Sequence, residues 1–231
     1  MEALPCLIFP AFIAVAVVAI VLGIIKARER REAMARLAAS LGFDYHPDDP
    51  WGLPARYDRF DLFERGHSKR AYNILCGAID GRAVTAFDYK YTTGSGKNQT
   101  THYCQAAVLA LPIRAARLRL RSENLFDQVA SWVGYDDIDF ESDEFSRRYY
   151  VASDDRKFAY DIFHAQLIDY LLRCGRSPNI EMAGAILILY ERQAGIENYR
   201  RLIQIGETIV KSIPDYVLTA RAVQGHAGEA P

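Results

Sequence analysis

Net charge is the first thing that this sequence lacks. Its 231 residues include 28 Lys and Arg against 29 Asp and Glu, which gives a formal charge of −1. General nucleic-acid binders carry a large basic excess because they displace counterions from phosphates, so this balance argues against that class. The composition of a disordered chain is also absent, since half of the residues are apolar, with 14 Tyr and 11 Phe. Such a chain can bury enough surface to offset the entropy lost on folding.

Cysteine is scarce, and none of the four cysteines has the C-x-x-C spacing of a redox or zinc motif. Cys6 falls inside an apolar run, and we interpret it as an ordinary membrane cysteine. Cys76, Cys104 and Cys174 are an odd number of thiols, which argues against a disulfide framework. We expect these three side chains to be reduced and buried.

Complete metal-binding and nucleotide-binding motifs are absent. His102-x-Cys104 and Asp161-x-x-His164 each supply two ligands, whereas a protein metal site needs three or four. The acidic stretch 136–144 starts like a calcium loop but has Ser142 where that loop needs glycine. The string Gly94-Ser-Gly-Lys-Asn98 lacks the first glycine and the final Ser or Thr of a P-loop. We predict no metal, no cofactor and no nucleotide, and whether 136–144 holds a divalent ion stays open.

One long apolar run is present. Leu4 to Ile25 contains 22 residues without a charged side chain, bounded by Glu2 and Lys26. As a helix it would be about 33 Å long, against about 30 Å for the hydrocarbon core of a bilayer. It predicts a transmembrane anchor over residues 1–25. A cleaved secretory signal is the alternative, but no basic segment precedes the run and no small-x-small cleavage site follows it.

Basic residues follow this run and none precedes it: Lys26, Arg28, Arg30, Arg31 and Arg36. The positive-inside rule then places everything after residue 26 in the cytoplasm. We expect the chain in the inner (plasma) membrane, with its N-terminus outside. Apolar residues continue with helical spacing at Met34, Leu37, Ala38 and Leu41, and Gly42 is a suitable stop. Residues 26–41 are therefore predicted to form a basic juxtamembrane helix, or neck.

The remaining sequence alternates between strand-like and helix-like segments. Strands are predicted at 60–64, 71–79, 82–92, 102–111, 117–121 and 145–152, and Asp80-Gly81 predicts a tight hairpin between two of them. The alternation in Arg117-Leu-Arg-Leu-Arg121 predicts three arginines on one exposed face. The Pro-rich and Asp-rich stretch 43–59 predicts a packed loop.

Helices are predicted at 124–134, at 153–174 with a break near His164, and at 196–213 with a stop at Pro214. A second hairpin is predicted at 180–190, pivoting on Gly184. Strand pairs segregated from helices, without βαβ alternation, indicate an α+β fold. We expect a largely antiparallel sheet packed by about three helices in a cytoplasmic domain of residues 42–218, followed by a disordered tail at 219–231.

The densest basic cluster of the soluble part is Arg65-Gly-His-Ser-Lys-Arg70. It is either a solvated turn or an anion site, because clustered Arg and Lys hold phosphate by charge-assisted hydrogen bonds. We predict that Arg65, His67, Lys69 and Arg70 bind an anion or a lipid headgroup. Together with the neck arginines they would favour an anionic membrane surface or an acidic protein partner.

Four strings carry a resemblance to known sequences: Arg65-Gly-His-Ser, Phe87-Asp-Tyr-Lys-Tyr-Thr-Thr-Gly-Ser-Gly, Asp137-Ile-Asp-Phe-Glu-Ser and Arg156-Lys-Phe-Ala-Tyr-Asp161. With them, the layout of one span, a basic neck and a compact α+β domain resembles uncharacterised bacterial membrane-anchored proteins of the domain-of-unknown-function type. The resemblance implies no activity and no site residues.

The sequence contains no Gly-x-Ser-x-Gly nucleophile elbow and no complete catalytic set. The leading hypothesis is therefore a non-enzymatic, membrane-anchored binding or adaptor module. The alternative is a membrane-associated enzyme acting on lipid or envelope precursors, in which folding would bring together Asp88, His67 and His102.

Overall fold

The structure is a computed structural model that describes residues 4–122, 138–175 and 178–223, with side chains from residue 13 onward. The helix predicted at 124–134 and residues 224–231 of the predicted tail lie outside this description.

A single antiparallel sheet organises the described residues. Its strands are β1 (Asp44–Asp48), β2 (His67–Ile79), β3 (Arg82–Thr93), β4 (Thr100–Ser122), β5 (Tyr149–Ser153) and β6 (Asn179–Arg192). The first four strands are neighbours in chain order. The long β4 pairs with β3 through its first half and with β5 through its second half, while β6 runs along its other side. The predicted α+β class with a largely antiparallel sheet is confirmed.

Helices cover both faces of this sheet. They are α1 (Leu4–Leu41), α2 (Leu53–Arg56), α3 (Asp61–Glu64), α4 (Asp143–Arg148), α5 (Arg156–Ile162), α6 (Ala165–Arg173), α7 (Asn198–Lys211) and α8 (Asp215–Ala220). The larger core joins one face of the sheet to α4–α8 and to the end of α1. The smaller core lies on the opposite face, under α2 and α3.

The neck belongs to the folded domain. Its predicted apolar face is confirmed, because Met34, Leu37 and Ala38 are buried in the larger core. α1 ends at Leu41, and Gly42 takes the left-handed conformation of a helix stop, with φ of 69°. A domain boundary at residue 42 would therefore cut through packed side chains.

The predicted membrane span is described only in part. Among the described residues, the structure contains no helix with enough length and apolar character to cross a bilayer. The side chains of residues 4–12, which form the first part of the predicted span, lie outside the description.

Several local predictions are confirmed. Asp80 and Gly81 form the tight turn between β2 and β3, with φ values of 49° and 75°. His164 separates α5 from α6, at the predicted break. The amphipathic helix near the C-terminal end is α7, and Pro214 follows it before α8 begins.

Three segment predictions are wrong. The stretch 43–59 is not only loop, because β1 pairs with β2, and Pro47 is tolerated there since β1 is an edge strand. Phe60–Glu64 is a helical turn, not a strand, and a run this short has no period that separates the two. The strand predicted at 145–152 begins as α4, because the Ser142 hydroxyl caps that helix by accepting from the Phe145 N–H.

Two further corrections concern β4 and β6. Residues 180–190 form no hairpin, because Gly184, with φ of 58°, only bends β6 and the strand stays paired with β4. The arginine strand is not exposed, since Arg119 and Arg121 are buried. The Asp61 carboxylate pairs with both, at 2.8 Å and 2.5 Å, which lowers the cost of burying the two guanidinium groups.

Candidate anion-binding groove

A completely buried carboxylate, that of Asp88 on β3, lies at the centre of a polar network that joins α1 to the sheet. It accepts two hydrogen bonds from Arg30, at 2.7 Å from Nε and 2.6 Å from Nη2. Asn73, Gln193 and Tyr199 donate the other three, at 2.8, 2.7 and 2.8 Å. A buried charge is tolerated only when it is paired and fully hydrogen-bonded, and this arrangement meets both conditions.

The donors arrive from four different elements. Arg30 lies on α1, Gln193 follows β6, and Tyr199 lies in the first turn of α7. Asn73 comes from a β-bulge in β2, where the register with β3 shifts between Tyr72 and Leu75. Its left-handed backbone, with φ of 52°, turns the side chain inward, and its amide oxygen accepts from the Tyr45 hydroxyl at 2.8 Å.

Arg30 fixes α1 to the sheet. Besides Asp88 it reaches the carbonyl oxygen of Ala194 at 2.9 Å, and its side chain is 20% exposed. Burial alone lowers the pKa of Arg30, but the hydrogen bonds and the charge of Asp88 outweigh it and raise the pKa overall. Burial, and then the charge of Asp88, raise the pKa of Tyr199, so this phenol keeps the proton that it donates. We call the Arg30 and Asp88 pair the clamp.

A groove of about 400 Å³ opens beside the clamp, between α1 and the β2–β3 hairpin. This volume is within the usual range for small-ligand sites. Basic residues from α1, β2 and β3 line it, together with tyrosines and amides: Gly23, Lys26, Ala27, Arg30, Arg31, Arg70, Tyr72, Asn73, Lys90, Tyr103 and Gln193. Five of these residues are Lys or Arg and none is Asp or Glu. We call this site the basic groove.

Most of the basic charge in the groove is not neutralised. Arg70 pairs with Asp48 at 2.7 Å, and both side chains are exposed. Lys26, Arg31 and Lys90 form no ion pair within the described part of the chain. Only Arg30 is committed to a buried carboxylate, so the groove presents a net positive surface to a ligand.

The structure separates the four residues predicted from the Arg65–Arg70 cluster. Only Arg70 lines the groove, where it joins the neck arginines Arg30 and Arg31. Lys69 donates to the Phe63 carbonyl oxygen. His67 contacts the Gly94 carbonyl oxygen at 3.1 Å, and Arg65 is half-buried beside Tyr91. Neighbouring residues of a strand point to opposite faces, so a cluster in sequence is divided between two surfaces.

The sequence interpretation missed Lys26 and Lys90 as parts of one site. Both basic residues lie far apart in the chain, and Lys90 is directly opposite Arg70 across the β2–β3 ladder. The Asp80-Gly81 turn is the sequence signal for this pairing, because residues of β2 and β3 at equal distances from a two-residue turn lie opposite each other. The bulge at Asn73 then shifts that register by one residue, which the sequence alone does not show.

The residues named for an enzyme do not converge. All acceptor positions of the Asp88 carboxylate are used by its five hydrogen bonds. His102 contacts the Thr93 hydroxyl at 2.8 Å and stacks on Tyr91. No group of three His, Cys, Asp or Glu side chains that could hold a metal occurs among the described residues, which include 138–144 of the acidic stretch. Cys76, Cys104 and Cys174 are free thiols, half-buried where we expected them buried.

A second buried charge cluster lies under α3, on the opposite face of the sheet. Asp61 holds Arg119 and Arg121 there, and its backbone N–H donates to the Glu181 carboxylate at 2.8 Å. Burial, and then the charge of Asp61, raise the pKa of Glu181 to about 7. The cluster is closed to solvent, so we interpret it as structural.

Comparisons with known proteins give one distant likeness. No protein-family model and no curated protein matches the chain. The chain is similar to the crystal structure of the mycobacterial trehalose monomycolate transport factor A, with a TM-score of 0.58 and 14% identity. The match covers 80% of this chain and 96% of that one. At this identity the likeness shows the fold alone.

Proposed function

We propose that this protein is a membrane-anchored, non-enzymatic binding module whose α+β domain is held against the cytoplasmic face of the inner membrane. The observation that carries the proposal is the continuity of α1. One helix leaves the apolar run, passes the basic groove and ends in the core of the domain. An anchor of this kind positions the domain, because the clamp ties the helix to the sheet.

The described part of the apolar run supports the anchor. Its large side chains are each 46–68% exposed: Ile13, Val15, Val17, Val18, Ile20, Val21, Leu22, Ile24 and Ile25. The small residues Ala16, Ala19 and Gly23 occupy the side that these large side chains leave free, and every residue from 13 to 25 is exposed, so this part of the helix has no polar face and no side packed onto the domain. A helix that is apolar all round is stable only inside a protein core or a bilayer.

The orientation and the binding role rest on charge. The basic neck follows the apolar run, which favours a cytoplasmic domain. The groove combines a ligand-sized volume with uncompensated positive charge, which suits binding of an anionic partner. The side chains that could serve catalysis are committed to structural hydrogen bonds, which favours binding over chemistry.

Alkaline carbonate extraction of cell membranes tests the anchor. We expect the full chain to stay in the pellet and to require detergent for release. The variant Val15→Asp/Val17→Asp should appear in the supernatant, since each charge near the centre of a span costs about 3 kcal/mol. The matched control Lys97→Asp/Arg156→Asp, changed at exposed positions of the domain, should behave like the parent. Release of the parent by carbonate would contradict the proposal.

Crosslinking in the native membrane tests the binding role. We expect the full chain to crosslink to a lipid or protein partner that is lost when groove cations are removed. A catalytic turnover measured with envelope or lipid precursors, abolished by His102→Ala without loss of folding, would favour the enzyme instead.

A further inference from the structure

We propose that the basic groove binds the phosphate of an anionic membrane lipid and holds its headgroup between α1 and the β2–β3 hairpin. This inference rests on the proposed function, because it requires α1 to be in the membrane. It adds the ligand class and the residues that recognise it.

Two basic residues at the floor of the groove, Arg70 and Lys90, would be stabilised by a bound anion. Arg70 on β2 and Lys90 on β3 are directly opposite each other in the antiparallel ladder. Like charges at opposite positions of a sheet destabilise it, unless a counterion lies between them. The exposed Asp48 pairs with Arg70 alone, so Lys90 keeps its charge unmatched.

The wall of the groove adds further positive charge in a fixed position. Lys26 and Arg31 lie on α1 and face the same opening as Lys90. The clamp holds α1 against the sheet through Arg30, so the backbone positions of these cations stay close to one another. A site whose backbone is already in place binds an anion with a smaller ordering cost, because only the side chains have to be fixed.

The position of the groove along α1 identifies the source of the anion. Gly23, inside the apolar run, lines the groove, and Lys26 is the first residue after it. Arg31 is six residues past Ile25, or about 9 Å along the helix. The headgroup layer on each side of a bilayer is about 5–8 Å thick. The groove therefore opens at the depth of lipid phosphates.

The rim of the groove fits the same depth. Tyr103 lines it and is 48% exposed, and tyrosine is enriched where hydrocarbon meets water. A volume of about 400 Å³ accommodates a phosphate with a small polar headgroup. The acyl chains would then continue along the apolar part of α1.

Native mass spectrometry of the full chain in neutral detergent micelles tests the inference. The probes are phosphatidylglycerol, which is anionic, and phosphatidylcholine, which is not. The groove variant is Lys26→Gln/Arg31→Gln/Lys90→Gln. The charge-matched control is Lys97→Gln/Arg147→Gln/Arg156→Gln, whose positions are exposed and do not line the groove.

We expect phosphatidylglycerol to stay bound to the parent and to the control, and to bind the groove variant at least tenfold more weakly. Phosphatidylcholine should bind all three proteins equally weakly. Millimolar inorganic phosphate should not displace the lipid. Equal thermal unfolding midpoints of the groove variant and the control would show that both are folded.

Several results would overturn the inference. Equal retention of phosphatidylglycerol by the groove variant would remove the groove as its site. Displacement of the lipid by inorganic phosphate would assign the site to a free phosphate, and displacement by an acidic peptide at equal concentration would assign it to a protein partner. Each of these results leaves carbonate extraction of the parent unchanged, so they are separate from failure of the membrane anchor.

Discussion

Replacing Asp88 with asparagine is the perturbation that bears most directly on the clamp. The carboxylate accepts five hydrogen bonds, two through Oδ2 and three through Oδ1. An asparagine of the same shape has one acceptor oxygen, and its NH₂ group must face donors on the other side. At least two hydrogen bonds are then lost in either orientation, and Arg30 loses its counter-charge.

The expected loss of stability follows from those contacts. Each hydrogen bond to a charged group contributes roughly 1.5–3 kcal/mol, so two of them amount to about 3–6 kcal/mol. Breaking a buried ion pair by removing one partner costs about the same, roughly 3–5 kcal/mol, and the two figures describe the same contacts. This loss is a large fraction of the free energy of unfolding of a domain, about 5–15 kcal/mol.

Urea unfolding of residues 26–231, followed by circular dichroism, measures this change. Asp48→Asn is the matched control, because its partner Arg70 is exposed and such a pair contributes under about 1 kcal/mol. In the Arg30→Met background, Asp88→Asn should cost clearly less than in the parent, since the ion pair is already absent. A loss below about 1 kcal/mol for Asp88→Asn in the parent would show that the clamp does not stabilise the fold.

Three further predictions concern the domain. Residues 26–231 should unfold cooperatively and 42–231 should not, because the shorter fragment loses the buried face of the neck and the clamp; equal urea midpoints would contradict this. Glu181→Gln should stabilise the protein by roughly 3 kcal/mol at pH 8 and change its stability little at pH 5. The reason is that the pKa of Glu181 is raised from 4.5 to about 7 in the folded state, so the parent loses stability as the pH rises between those values. Its control Glu191→Gln, which breaks an ion pair at 2.5 Å, should destabilise at pH 8, and a parent with flat stability from pH 5 to 8 would rule the prediction out. Gly66→Ala should lower the thermal unfolding midpoint by several degrees, because Gly66 has a φ of 60° and an added Cβ would lie 2.2 Å from a backbone carbonyl oxygen of β3. An unchanged midpoint would show that the loop can move aside.

Structural features that depend only on residues close together in the chain were predictable from the sequence. The Asp80-Gly81 turn, the break at His164 and the apolar face of the neck each depend on neighbours one to four positions away. Their physical cause is local: a left-handed turn, a helix end, or a helical repeat. The antiparallel α+β class follows from the order of such elements.

Features set by distant partners were not predictable. The buried arginine Arg121 needs Asp61, which is 60 residues away, and alternation alone made it look exposed. Arg30 and Asp88 are 58 residues apart. In the sequence, Arg30 resembles an ordinary surface charge of the neck, and Asp88 resembles a scattered polar residue. Long-range pairing of this kind depends on the fold as a whole, which no local pattern encodes.

The groove shows how a small irregularity changes a site. Counting back from the turn places Lys90 opposite Ala71. The bulge at Asn73 removes one residue from the count, so Lys90 lies opposite Arg70 instead. Of the four residues predicted from the Arg65–Arg70 cluster, Arg70 lines the basic groove, and the other cations of the groove lie on α1 and β3.

If the basic groove lies at the membrane surface, a probe on its rim should lie at the depth of the lipid headgroups in the reconstituted full chain. A fluorophore is attached at Tyr103→Cys, on the rim of the groove, in a variant whose native cysteines are replaced by serine. The control probe is attached at Arg156→Cys, at the start of α5. Nitroxide lipids labelled at the headgroup should quench the probe at position 103 strongly and the probe at 156 weakly, while aqueous iodide should show the opposite order. Equally weak headgroup quenching at both positions would contradict the account.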